Sequence, residues 1–294
     1  ADVFAVQDEI TQSAVGAIEP EILIGEGQRA AQRSPDNLDA YDCFMRGMWH
    51  HYRFNPEDSL RAEALFRRAI ELDATLARGH LGLSRVLYGR ARWGWSEDTR
   101  RDMAAADEAA RRATELDPRD AYAHYMLAMT SVMAGRHRKA LAEAQQAVDH
   151  SPNFALGYFS LGWTRIGVGH FAEALDPLQR CLRLSPNDPI LFEILTEVSL
   201  AHYQLGNYDE AAHYGECALR IRRVYSVLLA LLAALGQLGR LEEAAPLIEE
   251  AHRVEPPAVE DYLDVTVSYA DPAHREHFLD GLRKAGLLAP APLA

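Results

Sequence analysis

The chain has 294 residues, 48% of them hydrophobic and 25% charged, which is a globular composition with length enough for one large or two small cores. Forty-three acidic against 30 basic side chains leave a formal charge of -13, which repels phosphate backbones; Arg111-Arg112 and the cluster Arg220, Arg222, Arg223 are too short to form a basic face, so no nucleic acid is expected on this chain. Three scattered cysteines, Cys43, Cys181 and Cys217, suit a reducing cytoplasm rather than a disulfide framework, no apolar run reaches the roughly 20 residues that cross a bilayer, and a start at Ala1 instead of Met reads as a piece of a longer protein.

In chain order, "DVFAVQDEITQSAVGAIEPEIL" comes first. Its Phe4, Val6, Ile10, Ala14, Ala17, Ile18 and Ile22 lie near helical spacing, which predicts an amphipathic helix that Pro20 kinks. The next segments pair up. "YDCFMRGMWHHYRF" with "LRAEALFRRAIELDA" carries Gly47, Ala62, Phe66 and Ala69, after a short insertion at Asn55-Pro56. "RGHLGLSRVLYG" with "AAADEAARRATELDP" carries Gly82, Ala106, Ala113 and Pro118, but about a dozen extra residues around "GRARWGWSEDTR" separate its halves, and insertions are expected in loops.

The third and fourth segments align without gaps. Leu127 falls on Leu161, Gly135 on Gly169, Ala140 on Ala174 and Pro152 on Pro186, each 34 residues apart. Each unit reads as two antiparallel helices: the first ends at a glycine able to take the left-handed cap conformation, and the second ends before a proline that cannot continue it. The alanine opening the second helix lets the two backbones approach. After an insertion at "NDPI" the register continues through Gly206, Ala211 and Ala218, then Gly239, Ala244, Ala251 and Pro256.

This pattern resembles the tetratricopeptide repeat (TPR) family. The resemblance implies an all-α fold, a right-handed superhelix of about six helix pairs with first helices on the concave side. The organisation is then an N-terminal amphipathic helix and linker over 1–39, the solenoid over 40–256, and capping helices with a loose tail over 257–294. "DPAHREHFLDGLRKAGL", with an Asp-Pro start and Gly286 at its close, suits the cap.

In the family's register the groove-facing positions are Tyr41, Phe44, Met48 and Tyr52 in the first unit, Leu83 in the second, Tyr122, Tyr125, Met129 and Met133 in the third, and Leu156, Phe159, Trp163 and Ile166 in the fourth. An exposed apolar face of that length is larger than monomers tolerate, so something covers it. Either the side chains pack on one another or on the N-terminal helix, or a partner helix lies in the groove. Members that bind chaperone C-termini present Lys, Asn and Arg there; Tyr, Met, Phe and Trp do not fit that ligand.

Trp93 and Trp95 in the long insertion read either as an interaction hot spot or as a seal on adjacent helices. The pairs His50-His51, His213 with Cys217, and His274 with His277 offer two ligands each, short of a metal site. No glycine loop for phosphate, nucleophile elbow or pair of helical histidines flanking a glutamate is present in the sequence. No catalytic, cofactor or metal residue is therefore assigned, and the expectation is a non-enzyme without cofactor.

"DVFAVQDEIT", "NLDAYDCFMRGMWHHYRF" and "REHFLDGLRKAGL" are further similar to the C-terminal repeat region of bacterial class III adenylate/guanylate cyclases and of winged-helix transcriptional regulators. That resemblance implies a cytoplasmic regulatory module, with the output domain N-terminal to it, binding a protein or peptide. A hydrophobic helix is the partner that suits the groove. The competing expectation is a self-occluded scaffold whose N-terminal helix fills the groove and which forms homo-oligomers.

Overall fold

The computed structural model describes residues 39–254, 256 and 259–289. They form fourteen helices: α1 (Ala40–His51), α2 (Pro56–Leu72), α3 (Ala77–Arg92), α4 (Thr99–Leu116), α5 (Ala121–Met133), α6 (His137–His150), α7 (Ala155–Gly167), α8 (Phe171–Leu184), α9 (Leu191–Gln204), α10 (Tyr208–Ile221), α11 (Tyr225–Leu238), α12 (Leu241–Val254), α13 (Val259–Thr266) and α14 (Pro272–Ala285). The first twelve make six antiparallel pairs stacked side by side, and no strand occurs among the described residues. The sequence-predicted N-terminal helix lies outside those residues.

Local chemistry sets the boundaries. Asp39 caps α1 by accepting from the Asp42 N–H at 2.7 Å, and Asn55 caps α2 by accepting from the Asp58 N–H at 2.9 Å, with Pro56 in the first turn where its missing N–H costs nothing. At the junction of α7 and α8, Gly169 has φ 88°, a left-handed conformation that reverses the chain in three residues. On the outer helices the buried positions are small: Ala140, Ala144 and Ala147 are the buried residues of α6, so α5 and α6 pack closely.

The long insertion corrects the expectation that extra residues sit in loops. Only residues 93–98 form a loop. Ten residues follow Gly82 before α3 ends at Arg92, against five after Gly162 in α7, and α4 starts earlier relative to its alanine stripe than α8 does. Both helices of the second pair are thereby longer, and the loop they carry sends Trp93 inward.

Its destination is the superhelix axis. Trp93 packs on Phe54 (ring centroids 5.1 Å) and on Phe192 (6.0 Å), and Phe54 meets Phe192 edge-on at 5.6 Å. The first and second pairs thus touch the fifth across the middle. The richest apolar run of the chain, α11, is buried from Tyr225 to Gly236 between α9, α10, α12 and α14. A Cβ on Gly236 would overlap the Gly281 carbonyl oxygen, so α14 approaches α11 backbone to backbone.

Candidate functional site: the concave face and its strap

Of the groove positions read from the sequence, all but Tyr52, the residue after α1, lie on the first helices of their pairs, α1, α3, α5 and α7. Tyr41, at the start of α1, is 50% exposed, and Tyr52 is partly buried. Phe44, Met48, Leu83, Tyr122, Tyr125, Met129, Met133, Leu156, Phe159, Trp163 and Ile166 are buried. Adjacent pairs supply part of the cover: Tyr122 lies 4.4 Å from Phe154 between ring centroids, and Tyr125 lies 6.4 Å from Phe159. The rest comes from the opposite side of the superhelix and from the C-terminal segment. Trp163 meets Tyr88 edge-on at 6.0 Å and lies under the Arg92 guanidinium. Leu156 to Trp163 is apolar on more than one face because α7 is enclosed on nearly all of them.

Charged groups stand inside this apolar layer, and the sequence reading did not single them out. Arg85 is buried between the rings of Tyr52 (5.4 Å) and Tyr122 (5.6 Å). Arg92 donates to Glu197 at 2.8 Å, and the Trp93 Nε1–H donates to Glu193 at 2.7 Å, so the last residue of α3 and the one after it hold two carboxylates one turn apart on α9. Burial pushes the Glu193 carboxyl up to about 7, with Arg92 and the Trp93 N–H opposing it. Burial raises Glu197 as well, against the pull of Arg92. Asp188 is raised by burial, partly countered by the Ile190 N–H. The available signal was Glu193 and Glu197, four residues apart, as the two acidic residues of the largely apolar stretch "LFEILTEVSLAHY".

The C-terminal segment closes this face. The Tyr262 hydroxyl donates to the Arg92 carbonyl at 2.7 Å, the Ser268 hydroxyl to the Val132 carbonyl at 3.0 Å, and the Ala270 N–H to the Gly167 carbonyl at 2.7 Å. Arg92 and Gly167 are the last residues of α3 and α7, where a helix leaves carbonyls without partners, whereas Val132, next to last in α5, also accepts from the Gly135 N–H at 2.9 Å. The segment therefore crosses three successive inner helices in chain order. Beyond it, α14 is anchored separately: Tyr203 donates to the His277 carbonyl at 2.6 Å, and Gln204 to the His274 carbonyl at 2.9 Å.

Beneath the segment is a crevice of about 30 Å³, large enough for a water or two, lined by Met133, Trp163, Ile166, Arg92 and Glu197 from the inner helices and by residues 266–269 from the segment. Arg92 Nε and Glu197 Oε2 are buried and find no hydrogen-bond partner among the described residues.

The two insertion tryptophans part ways, though their rings touch at 4.9 Å. Trp93 is buried on the axis, while Trp95 lines an outer cleft of about 630 Å³ between α2 and α4 with Leu60, Leu87 and Arg101. The histidine pairs do not converge. His50 bonds Asp58 at 2.6 Å, whereas His51 is buried, with burial holding its ring well below the usual range. His213 and Cys217 are 3.9 Å apart, and His277 faces Tyr208 and Gln204. No group of three metal-ligating side chains occurs among the described residues. None of their helices is long and apolar enough to cross a membrane.

Residues 109–142 match the family described as tetratricopeptide repeat. A protein of Rhizobium meliloti (strain 1021) named "Putative adenylate cyclase 3" is 30% identical over 128 residues, 44% of this chain and 22% of that protein. The chain thus spans about a fifth of that relative's length. Among solved structures, human IFIT1, determined as a dimer with m7Gppp-AAAA, superposes with a TM-score of 0.66 at 13% identity over 90% of this chain and 63% of that one. A chain of the APC/C hetero-tetramer Cut9-Hcn1 gives 0.61 at 15% identity over 91% and 46%. A thermophilic TPR protein of Thermus thermophilus, TTC0263, gives 0.52 at 22% identity over 70% and 99%. At such identities the likeness carries the fold alone.

Proposed function

We propose that this tetratricopeptide-repeat solenoid is a non-catalytic protein-interaction module, the regulatory part of a bacterial signalling cyclase or transcriptional regulator, and that it takes a partner helix or peptide on its concave face. The observation that carries the reading is the chemistry of that face. Met133, Trp163 and Ile166 line a crevice together with Arg92 and Glu197, whose buried Nε and Oε2 find no partner among the described residues. Leaving such groups unpaired is costly, which favours a site completed from outside. The cyclase relative supports the regulatory setting, because the chain matches only a small part of it.

Hydrogen exchange on the chain, alone and with fractions of a bacterial lysate, tests the assignment. Added protection at residues 163–167 is expected with a partner-containing fraction. Protection confined to α2 and α4 on the outer surface would move the site there and sink the concave reading.

A second reading has its own observation. The inner residues are already buried by one another and by the C-terminal segment, as in a self-occluded scaffold, and the outer cleft beside Trp95 would then be the assembly surface. Sedimentation equilibrium separates the two: a homo-oligomer that Leu60→Asp dissociates favours the scaffold.

A further inference from the structure

We infer that residues 259–270 are a built-in occupant of the concave face, a strap exchanged for a partner segment that presents the same chemistry: hydroxyl donors about two turns apart, with an aromatic side chain beside each. This rests on the concave face being the partner site and names how that site is controlled.

Four features distinguish the strap from an ordinary part of the core. Three of its inward polar bonds go to main-chain carbonyls at the ends of α3, α5 and α7, acceptors that another segment with donors at the same spacing can use, beside side-chain bonds of Tyr262 with Ser226 and of Tyr269 with Gln204. Its outer edge is held by Arg100 to Asp261 (2.8 Å) and Asp264 (3.0 Å) and by Arg275 to Asp264 (2.7 Å). These side chains are a third to a half exposed, and ion pairs in water contribute little to closure.

The fit underneath is incomplete. The crevice remains, and Arg92 Nε and Glu197 Oε2 receive nothing from the strap. A replacement carrying a side chain with one acceptor and one donor, such as Gln or Asn, would bond both, so it has an advantage over the strap at this position. Finally, the strap can leave without the cap. α14 begins at Pro272 with its own N-cap, Asp271, and is fastened to α9 through Tyr203 and Gln204.

The test uses the intact chain. Tyr262→Phe with Ser268→Ala removes two donors and keeps the apolar packing. Hydrogen exchange of residues 259–270 should then be at least ten-fold faster than in the parent, with α9 and α11 unchanged. A synthetic peptide of residues 259–270 should bind the variant at least ten-fold more tightly than the parent and slow the exchange at residues 163–167. Strap amides that exchange only as fast as those of α9 and α11 in both proteins would show that the strap opens only with global unfolding, and that result overturns the proposal. So would a loosened strap whose seat does not bind the peptide. Should the variant fail to fold, the parent alone decides, since a displaceable strap must exchange faster than α7 and a core element must not. No external partner enters these measurements, so they can succeed where the search for a partner fails, and the reverse.

Discussion

Helices α6 and α7 are consecutive and similar in length, yet they obey different rules. On α6 only Ala140, Ala144 and Ala147 are buried, one narrow stripe on a polar helix. On α7 everything from Ala155 to Gly167 except Arg165 is buried. The outer helix packs on its own pair and its neighbour, whereas the inner helix also meets the far side of the superhelix and the strap. Amphipathic spacing describes the outer layer well. It fails for the inner layer because the axis has no solvent face.

The contrast can be broken at α7. Phe159→Ala should lower the unfolding free energy by about 4 kcal/mol, since it opens a cavity among residues that cannot collapse. Urea denaturation measures it, and a loss below about 1 kcal/mol, the size of a half-exposed contact, would show that the inner layer is not a core.

A nearly equal loss is expected across the axis. Glu197→Ala leaves Arg92 buried and unpaired, which costs about 3 kcal/mol in comparable cases. A variant with an unchanged denaturation midpoint would mean that the first half of the solenoid does not close on the fifth pair.

The pH dependence sharpens the same point. Because burial raises the Glu193 carboxyl from 4.5 to about 7, the folded chain keeps a proton that the unfolded chain releases. Stability from this group is full below pH 4.5 and declines as pH rises toward 7, by about 3 kcal/mol. His51, held neutral by burial, acts with the opposite sign below its ordinary value of 6.5, so the difference between proteins isolates Glu193. Glu193→Gln keeps an acceptor for Trp93 and should gain on the parent as pH rises from 4.5 to 8. Parallel profiles for the two would refute a buried, proton-holding Glu193.

The smallest effect belongs outside. Arg68→Ala removes an exposed pair with Glu71 and should shift stability by less than about 0.5 kcal/mol. A larger change in thermal denaturation would imply that the outer surface is more coupled than its exposure indicates.

How much was legible follows from which contacts are local. The Gly169 cap, the alanines of α6 and the stop before Pro152 are read within one 34-residue unit. The groove register placed Tyr122, Phe159 and Trp163 on inner helices, but their neighbours Phe154, Tyr88 and Arg92 come from other pairs. Arg85, Glu193 and Glu197 were passed over because a charge in a helix usually marks a solvated face, and nothing near them in sequence says otherwise.

By itself, the sequence determined the period, the helix pairs and the caps, because each depends on residues a few positions apart and on the dihedral limits of glycine and proline. Tertiary structure alone decided that the superhelix closes. Trp93 reaches Glu193 across about a hundred residues of chain, and Tyr262 reaches Arg92 across about 170. Such contacts depend on the small rotation accumulated between successive pairs, a property of packing summed over the whole stack that no single repeat encodes.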